Sequence, residues 1–97
     1  MKIINGGYLK KYAETHKDIA QQLWSWYYDV KSQKWEKGLD IKEHYATADP
    51  LPNNHAVFDI KGKKYRIVVA VNYQKALVDI RFIGTHAEYD QIDTVNI

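Results

Sequence analysis

Four side chains in the second half of this 97-residue chain, Arg66, Arg81, His86 and Tyr89, are of the types that bind anions and move protons, and their spacing brings them together. Tyr65, Ile67, Val69 and Val71 alternate with Arg66, Val68 and Ala70. Ala76, Val78, Ile80 and Phe82 alternate with Leu77, Asp79, Arg81 and Ile83, so both runs have the period of half-buried strands. Joined through Asn72 to Lys75, they share one apolar face when 71 pairs with 76, 69 with 78, 67 with 80 and 65 with 82. That register sets Arg66 directly opposite Arg81. Opposed like charges on a sheet face cost up to about 1 kcal/mol, a cost that a bound anion would reverse. The plainer alternative is that Asp59 neutralises Arg66 while Arg81 leans into solvent.

The second strand runs into Thr85-His86-Ala87-Glu88, the T-x-x-E pattern of a capping box. Thr85 is then the cap and His86 the first helical residue, where the positive end of the helix dipole disfavours imidazolium. Neutral His86 would serve as a base, or as a donor to an anion. Tyr89, three residues on, shares its side of the helix. The ordinary alternatives here are an exposed histidine and a packed tyrosine.

The elements that must position these groups can be read in order. Met1 to Ile4 predicts a short strand ended by Asn5-Gly6-Gly7. Tyr8, Leu9, Tyr12 and Ala13 follow helical spacing. A break follows, with Thr15 and Asp18 capping a longer helix whose buried stripe is Ile19, Leu23, Trp26, Tyr27 and Val30, flanked by Trp24, Tyr28 and Trp35. Gly38 to His55 is rich in Pro, Asn and Asp and reads as a long irregular connection, making His44, Tyr45 and His55 further site candidates. Taking Gly62-Lys63 as a two-residue turn then aligns Phe58 with Ile67, Asp59 with Arg66 and Ile60 with Tyr65. Phe58, Ile60, Tyr65, Ile67, Val69, Val78, Ile80 and Phe82 would thus bury one sheet face beneath the helix carrying Leu23 and Trp26. The element order is strand, helix, helix, three strands, helix, an α+β arrangement in one domain over residues 1–97.

Composition narrows the chemistry. The absence of cysteine excludes disulfides, thiolate metal sites and cysteine nucleophiles, and favours a reducing compartment. No run has the length of a signal peptide or membrane span, so a cytoplasmic protein without membrane contact is the expectation. No P-loop, dinucleotide-binding glycine motif or H-E-x-x-H occurs, the four histidines show no ligand spacing among themselves, and no metal or cofactor is expected. The net charge of +2 says little, but Lys61, Lys63, Lys64 and Arg66 gather on one hairpin.

Val57-Phe58-Asp59-Ile60, Tyr65-Arg66-Ile67-Val68 and above all Arg81 to Asp90, with its THAEYD run, resemble the HigB toxins of bacterial type II toxin-antitoxin systems. The likeness is clear from Asn54 to Ile92 and looser over the helical half, where Leu23, Trp26 and Tyr27 fit a W-Y helix pattern. It implies a RelE-like fold: two N-terminal helices packed on a twisted antiparallel sheet of about four strands, with a short C-terminal helix. It also implies an mRNA interferase that cuts messages on the translating ribosome and is held inactive by a helix-turn-helix antitoxin of the HigA type. In metal-free cleavage of this kind Arg66 and Arg81 would hold the phosphate, and His86 would act as acid or base. Tyr89 would orient it or donate a proton. Lys61, Lys63, Lys64, His55 and Tyr65 would contact RNA. Two alternatives use the same basic face: a non-catalytic RNA- or ribosome-binding module, with Tyr65 or Tyr73 stacking on bases, and a protein-interaction domain.

Overall fold

Apolar periodicity sorts the chain into a helical layer and a sheet in the computed structural model, which describes residues 1–94 and 96–97. The helices are α1 (Gly7–Thr15), α2 (Ala20–Ser32), α3 (Gly38–His44) and α4 (His86–Tyr89), and the strands are β1 (Lys2–Ile4), β2 (Asp49–Leu51), β3 (His55–Ile60), β4 (Tyr65–Asn72) and β5 (Leu77–Thr85). They form one mixed five-stranded sheet in the order β1-β5-β4-β3-β2, with β1 parallel to β5 and the other neighbours antiparallel. The expected α+β class and helix-on-sheet packing hold. The fifth strand, β2, and α3 both arise inside the stretch that sequence alone reads as irregular. Among the described residues no helix is long and apolar enough to cross a membrane.

Leu9 and Ala13 of α1 and Leu23, Trp26 and Val30 of α2 meet Phe58, Ile60, Tyr65, Ile67, Val69, Val71, Val78 and Ile80 from the sheet, all buried. Phe58 is the centre of an aromatic cluster, with Trp26 edge-on at 5.2 Å, Tyr45 edge-on at 5.4 Å and Trp35 stacked at 6.0 Å. Such pairs each add about 0.5–1.5 kcal/mol beyond their burial. Thr15 does not cap the longer helix. It ends α1, where its hydroxyl donates to the Tyr12 carbonyl at 3.2 Å, and α2 begins without a side-chain cap. Asp18 instead pairs with Lys61 Nζ at 3.2 Å.

The β3–β4 register is the expected one, with Phe58 opposite Ile67, Asp59 opposite Arg66 and Ile60 opposite Tyr65. The β4–β5 register is not. Val71 pairs with Val78 and Val69 with Ile80, a slide of two residues that keeps apolar parity and moves the loop to residues 73–76. The Asn72 side chain accepts from Lys75 N at 3.0 Å, and Ala76 takes φ +54. A left-handed alanine is not written in any local propensity. Between Val68 and Val69 the register then shifts: Ile80 faces Val69 but Phe82 faces Val68, leaving Arg81 as the extra residue of a bulge. Beyond it the faces of β5 exchange. Ile83 packs toward the core, and Phe82, expected there, lies on the helix-free face beside Val68.

Phe82 covers Gly84 on that face. A methyl group added at Gly84 would fall 2.6 Å from Phe82 Cζ and 3.0 Å from Glu88 Oε1. Gly84→Ala should therefore cost about 1–3 kcal/mol in urea denaturation. In a Phe82→Leu background, which removes the ring tip, the added cost should shrink. An undiminished cost would contradict this placement of Phe82.

Candidate functional site

The β3–β4 turn is pinned before it reaches the site. Lys64 N donates to Lys61 O at 3.2 Å and Gly62 takes φ +67, a conformation that glycine adopts without penalty. Lys61 N donates to Gln22 Oε1 at 2.9 Å, so together with the Asp18 pair the turn is tied to α2. Two residues past the turn, Arg66 emerges on the helix-free face. Its Nε donates to Asp59 Oδ1 at 3.0 Å, the two side chains being 17% and 8% exposed, and its Cζ stands 4.6 Å from the centre of the Tyr89 ring. The carboxylate and the ring fix the guanidinium from two sides. Its terminal nitrogens have no hydrogen-bond partner among the described residues, which leaves an oriented, charged fork of the shape that matches phosphate oxygens.

The capping box closes as expected. Thr85 Oγ1 accepts from Glu88 N at 3.2 Å and Glu88 Oε1 accepts from Thr85 N at 2.8 Å. The Thr85 main-chain N–H, and after it the Thr85 hydroxyl, hold the Glu88 carboxyl below its ordinary value of 4.5. Because the bulge brings Thr85 opposite Tyr65, α4 starts beside the β3–β4 turn, and His86 N donates to Lys64 O at 3.0 Å. His86 Nδ1 lies 3.4 Å from Asp90 Oδ2, and the His86 and Tyr89 rings are 6.1 Å apart. Asp90 faces the imidazole at i+4, while α4, at four residues, aligns few peptide dipoles.

Arg66, His86 and Tyr89 are thus brought together, with Lys63 and Lys64 on the adjoining turn. Arg81 is not. Arg66 faces Gly84, three residues and roughly 10 Å along β5 from Arg81. Arg81 Nε donates to Asp79 Oδ2 at 2.8 Å, on the side away from Arg66, and Nη1 to the Ile97 main-chain oxygen at 2.9 Å. The opposed-arginine site is replaced by its plainer alternative, Asp59 neutralising Arg66. Lys61 faces α2, and Tyr65, 6% exposed and edge-on to Tyr12 and His16, cannot offer its ring to a base. His55 is buried, its Nδ1 2.8 Å from Asn53 O and its Nε2 3.2 Å from Ile97 O. His44 Nε2 and the Tyr45 hydroxyl both bond to Asp29 Oδ2, a link between α3 and α2. Burial and that bond push the Tyr45 hydroxyl up, and the bond draws the Asp29 carboxyl down.

Two residues escaped the sequence reading. Asp90 had a usable signal, its i+4 spacing from His86. His16 stacks on Tyr12 at 3.8 Å, and burial, followed by the charge of Glu88, pushes the Tyr12 hydroxyl up to about 12. The end of α1 therefore lies within electrostatic reach of α4, a proximity without local trace in the sequence.

Two helices on one face of a mixed sheet, and a charged group clamped on the other beside a capped turn of helix, define a small α+β protein with a candidate site on its helix-free face. The family model HigB_toxin, described as the RelE-like toxic component of a toxin-antitoxin system, matches residues 19–92. The chain belongs to this family. No curated protein matches it.

The Glu88 carboxyl gives a pH test. Because its folded-state pKa is depressed, its contribution to α4 is present above the ordinary glutamate pKa and is lost as pH falls through the lower, folded value. A carbon-detected NMR titration should place its midpoint below 4.5, and Thr85→Ala should raise that midpoint partway back. A midpoint unmoved by Thr85→Ala would mean that the capping box does not form in solution.

Proposed function

We propose that the chain, as one RelE-like domain, is an endoribonuclease that cleaves mRNA on the translating ribosome. Its toxicity is that of translation arrest in the cytoplasm, and a helix-turn-helix antitoxin of the HigA type restrains it. The observation that carries this reading is the Arg66 fork, held between Asp59 and Tyr89 with His86 and its facing Asp90 alongside. Family membership supports the toxin role.

In the reaction, the RNA 2′-hydroxyl attacks the adjacent phosphorus as a base takes its proton. The phosphorane is held by a fixed cation, and an acid protonates the departing 5′-oxygen, leaving a 2′,3′-cyclic phosphate and a 5′-hydroxyl. Arg66 supplies the cation, His86 takes the 2′-hydroxyl proton through Nε2 while Asp90 faces Nδ1, and Tyr89 positions the guanidinium and gives its hydroxyl proton to the departing 5′-oxygen. Lys63 and Lys64 hold the neighbouring backbone as point charges. Every role is filled by a side chain.

Arg66→Ala is a poor test, since it strands the buried Asp59 carboxylate at a cost of about 3–5 kcal/mol. Arg66→Lys keeps the charge and loses the fork. It should lower mRNA cleavage on translating ribosomes by about two to three orders of magnitude, comparable to losing one oxyanion donor, with an unchanged circular dichroism spectrum. His86→Gln should lower it by about 10²–10⁴. Parental cleavage in both folded variants would move the site elsewhere. A parent protein that binds ribosomes and leaves message intact would favour a non-catalytic module.

A further inference from the structure

β1 covers β5 only from Leu77 to Asp79, so past the bulge the outer edge of β5 has no strand partner among the described residues, and α1 packs against β5. Between them opens a cavity of about 400 Å³. Its α1 wall is Tyr8, Lys11, Tyr12 and Thr15, recurring at i, i+3, i+4 and i+7 and so forming one stripe of the helix, distinct from the Leu9 and Ala13 positions buried in the core. Its β5 wall is Arg81, Phe82 and Ile83.

We propose that this cleft is a nucleotide subsite, in which a base of single-stranded RNA stacks on Tyr8 and the adjoining phosphate is held by Lys11 and Arg81. The inference rests on the RNA-cleaving role proposed above and gives Arg81 its place in it. Three observations favour a nucleotide. Tyr8 is 57% exposed, a large ring face left open over an otherwise apolar wall. Among the described residues the cleft is lined by two cations and no acidic side chain, and although Asp79 holds Arg81 Nε and Ile97 O holds Nη1, Nη2 has no partner among them. Finally, the cleft adjoins the Arg66 strand position through one residue: Phe82 lines the cleft and also covers Gly84, the residue opposite Arg66. One strand of RNA can therefore place a phosphate at Arg66 and a flanking base beside Tyr8. Aromatic stacking with flanking cations is how single strands are gripped without reading every base.

The test uses the unmodified protein and a short fluorescein-labelled 2′-O-methyl oligoribonucleotide, which lacks the attacking hydroxyl and stays intact, with binding followed by anisotropy. Tyr8→Ala should weaken binding about tenfold or more, and Tyr8→Phe should restore it. Lys11→Gln should lower the slope of log affinity against log salt by roughly 0.7, the loss of one phosphate contact. Replacing the flanking base by an abasic unit should weaken the parent and leave Tyr8→Ala unaffected. If Tyr8→Ala, Lys11→Gln and the abasic unit all leave affinity unchanged while Arg66→Lys lowers it and the parent still cleaves message, the subsite is wrong and the endoribonuclease reading stands. If the parent neither binds the oligonucleotide nor cleaves message, both are wrong. If Tyr8→Ala abolishes antitoxin binding and spares RNA, the cleft belongs to a protein partner and the proposal is overturned.

Discussion

One extra residue in β5 determines what the helix-free face can do. In a sheet the side-chain period is two, so an inserted residue exchanges the faces of everything that follows. The bulge at Arg81 turns Phe82 out and Ile83 in, sets Gly84 against Arg66, and delivers Thr85 beside Tyr65, where the capping box starts α4 next to the β3–β4 turn. Without it Phe82 would face the helices, and α4 would begin from the opposite side of the sheet. The two arginines that the expected register sets face to face are already separated by the two-residue slide at the β4–β5 loop, and the bulge moves them one residue further apart.

The Asp59–Arg66 pair bears on stability and on the orientation of the guanidinium at once. Both side chains are largely withdrawn from water, so each requires the other, and the attraction chiefly offsets their shared desolvation. What the pair adds is orientation. With Nε fixed by the carboxylate and the planar group resting on Tyr89, the guanidinium gives up its rotational freedom during folding and need not lose it on binding. The neighbouring lysines have no such constraint: Lys61 is committed to Asp18, and Lys64 contributes its main-chain oxygen to α4 and places its ammonium 5.7 Å from the Tyr65 ring.

Distant parts of the chain converge on this end of the sheet. The short helix after β5 is held to the β3–β4 turn by a main-chain hydrogen bond, His86 N to Lys64 O, and the turn is tied to the helical layer through the exposed side chains of Gln22 and Asp18. His55 and Arg81, by contrast, both meet the main-chain oxygen of Ile97, which links β3 to β5 at the far end of the same face.

Much of this was legible in the amino-acid order alone, because the signals were local. Period-two alternation marked β3, β4 and β5, the i, i+3, i+4 stripe marked α2, the short turn around Gly62 fixed the Asp59–Arg66 pairing, and Thr85 with Glu88 announced the cap of α4. These features arise from interactions within a few residues, and the family likeness followed from the same stretch. The tertiary structure decided the rest. Apolar parity cannot distinguish registers that differ by two, so the slide of β5 was invisible, and a bulge has no marker when its extra residue is an arginine among alternating apolar positions. β2 and α3 formed in a segment of weak periodicity because β3 offered an edge and the core offered a place for Ile41. Tertiary packing likewise set His16 beside Tyr65 of β4 and within reach of Glu88 of α4, and gave Arg81 the main-chain oxygen of Ile97, contacts between residues far apart in the chain that no local spacing records.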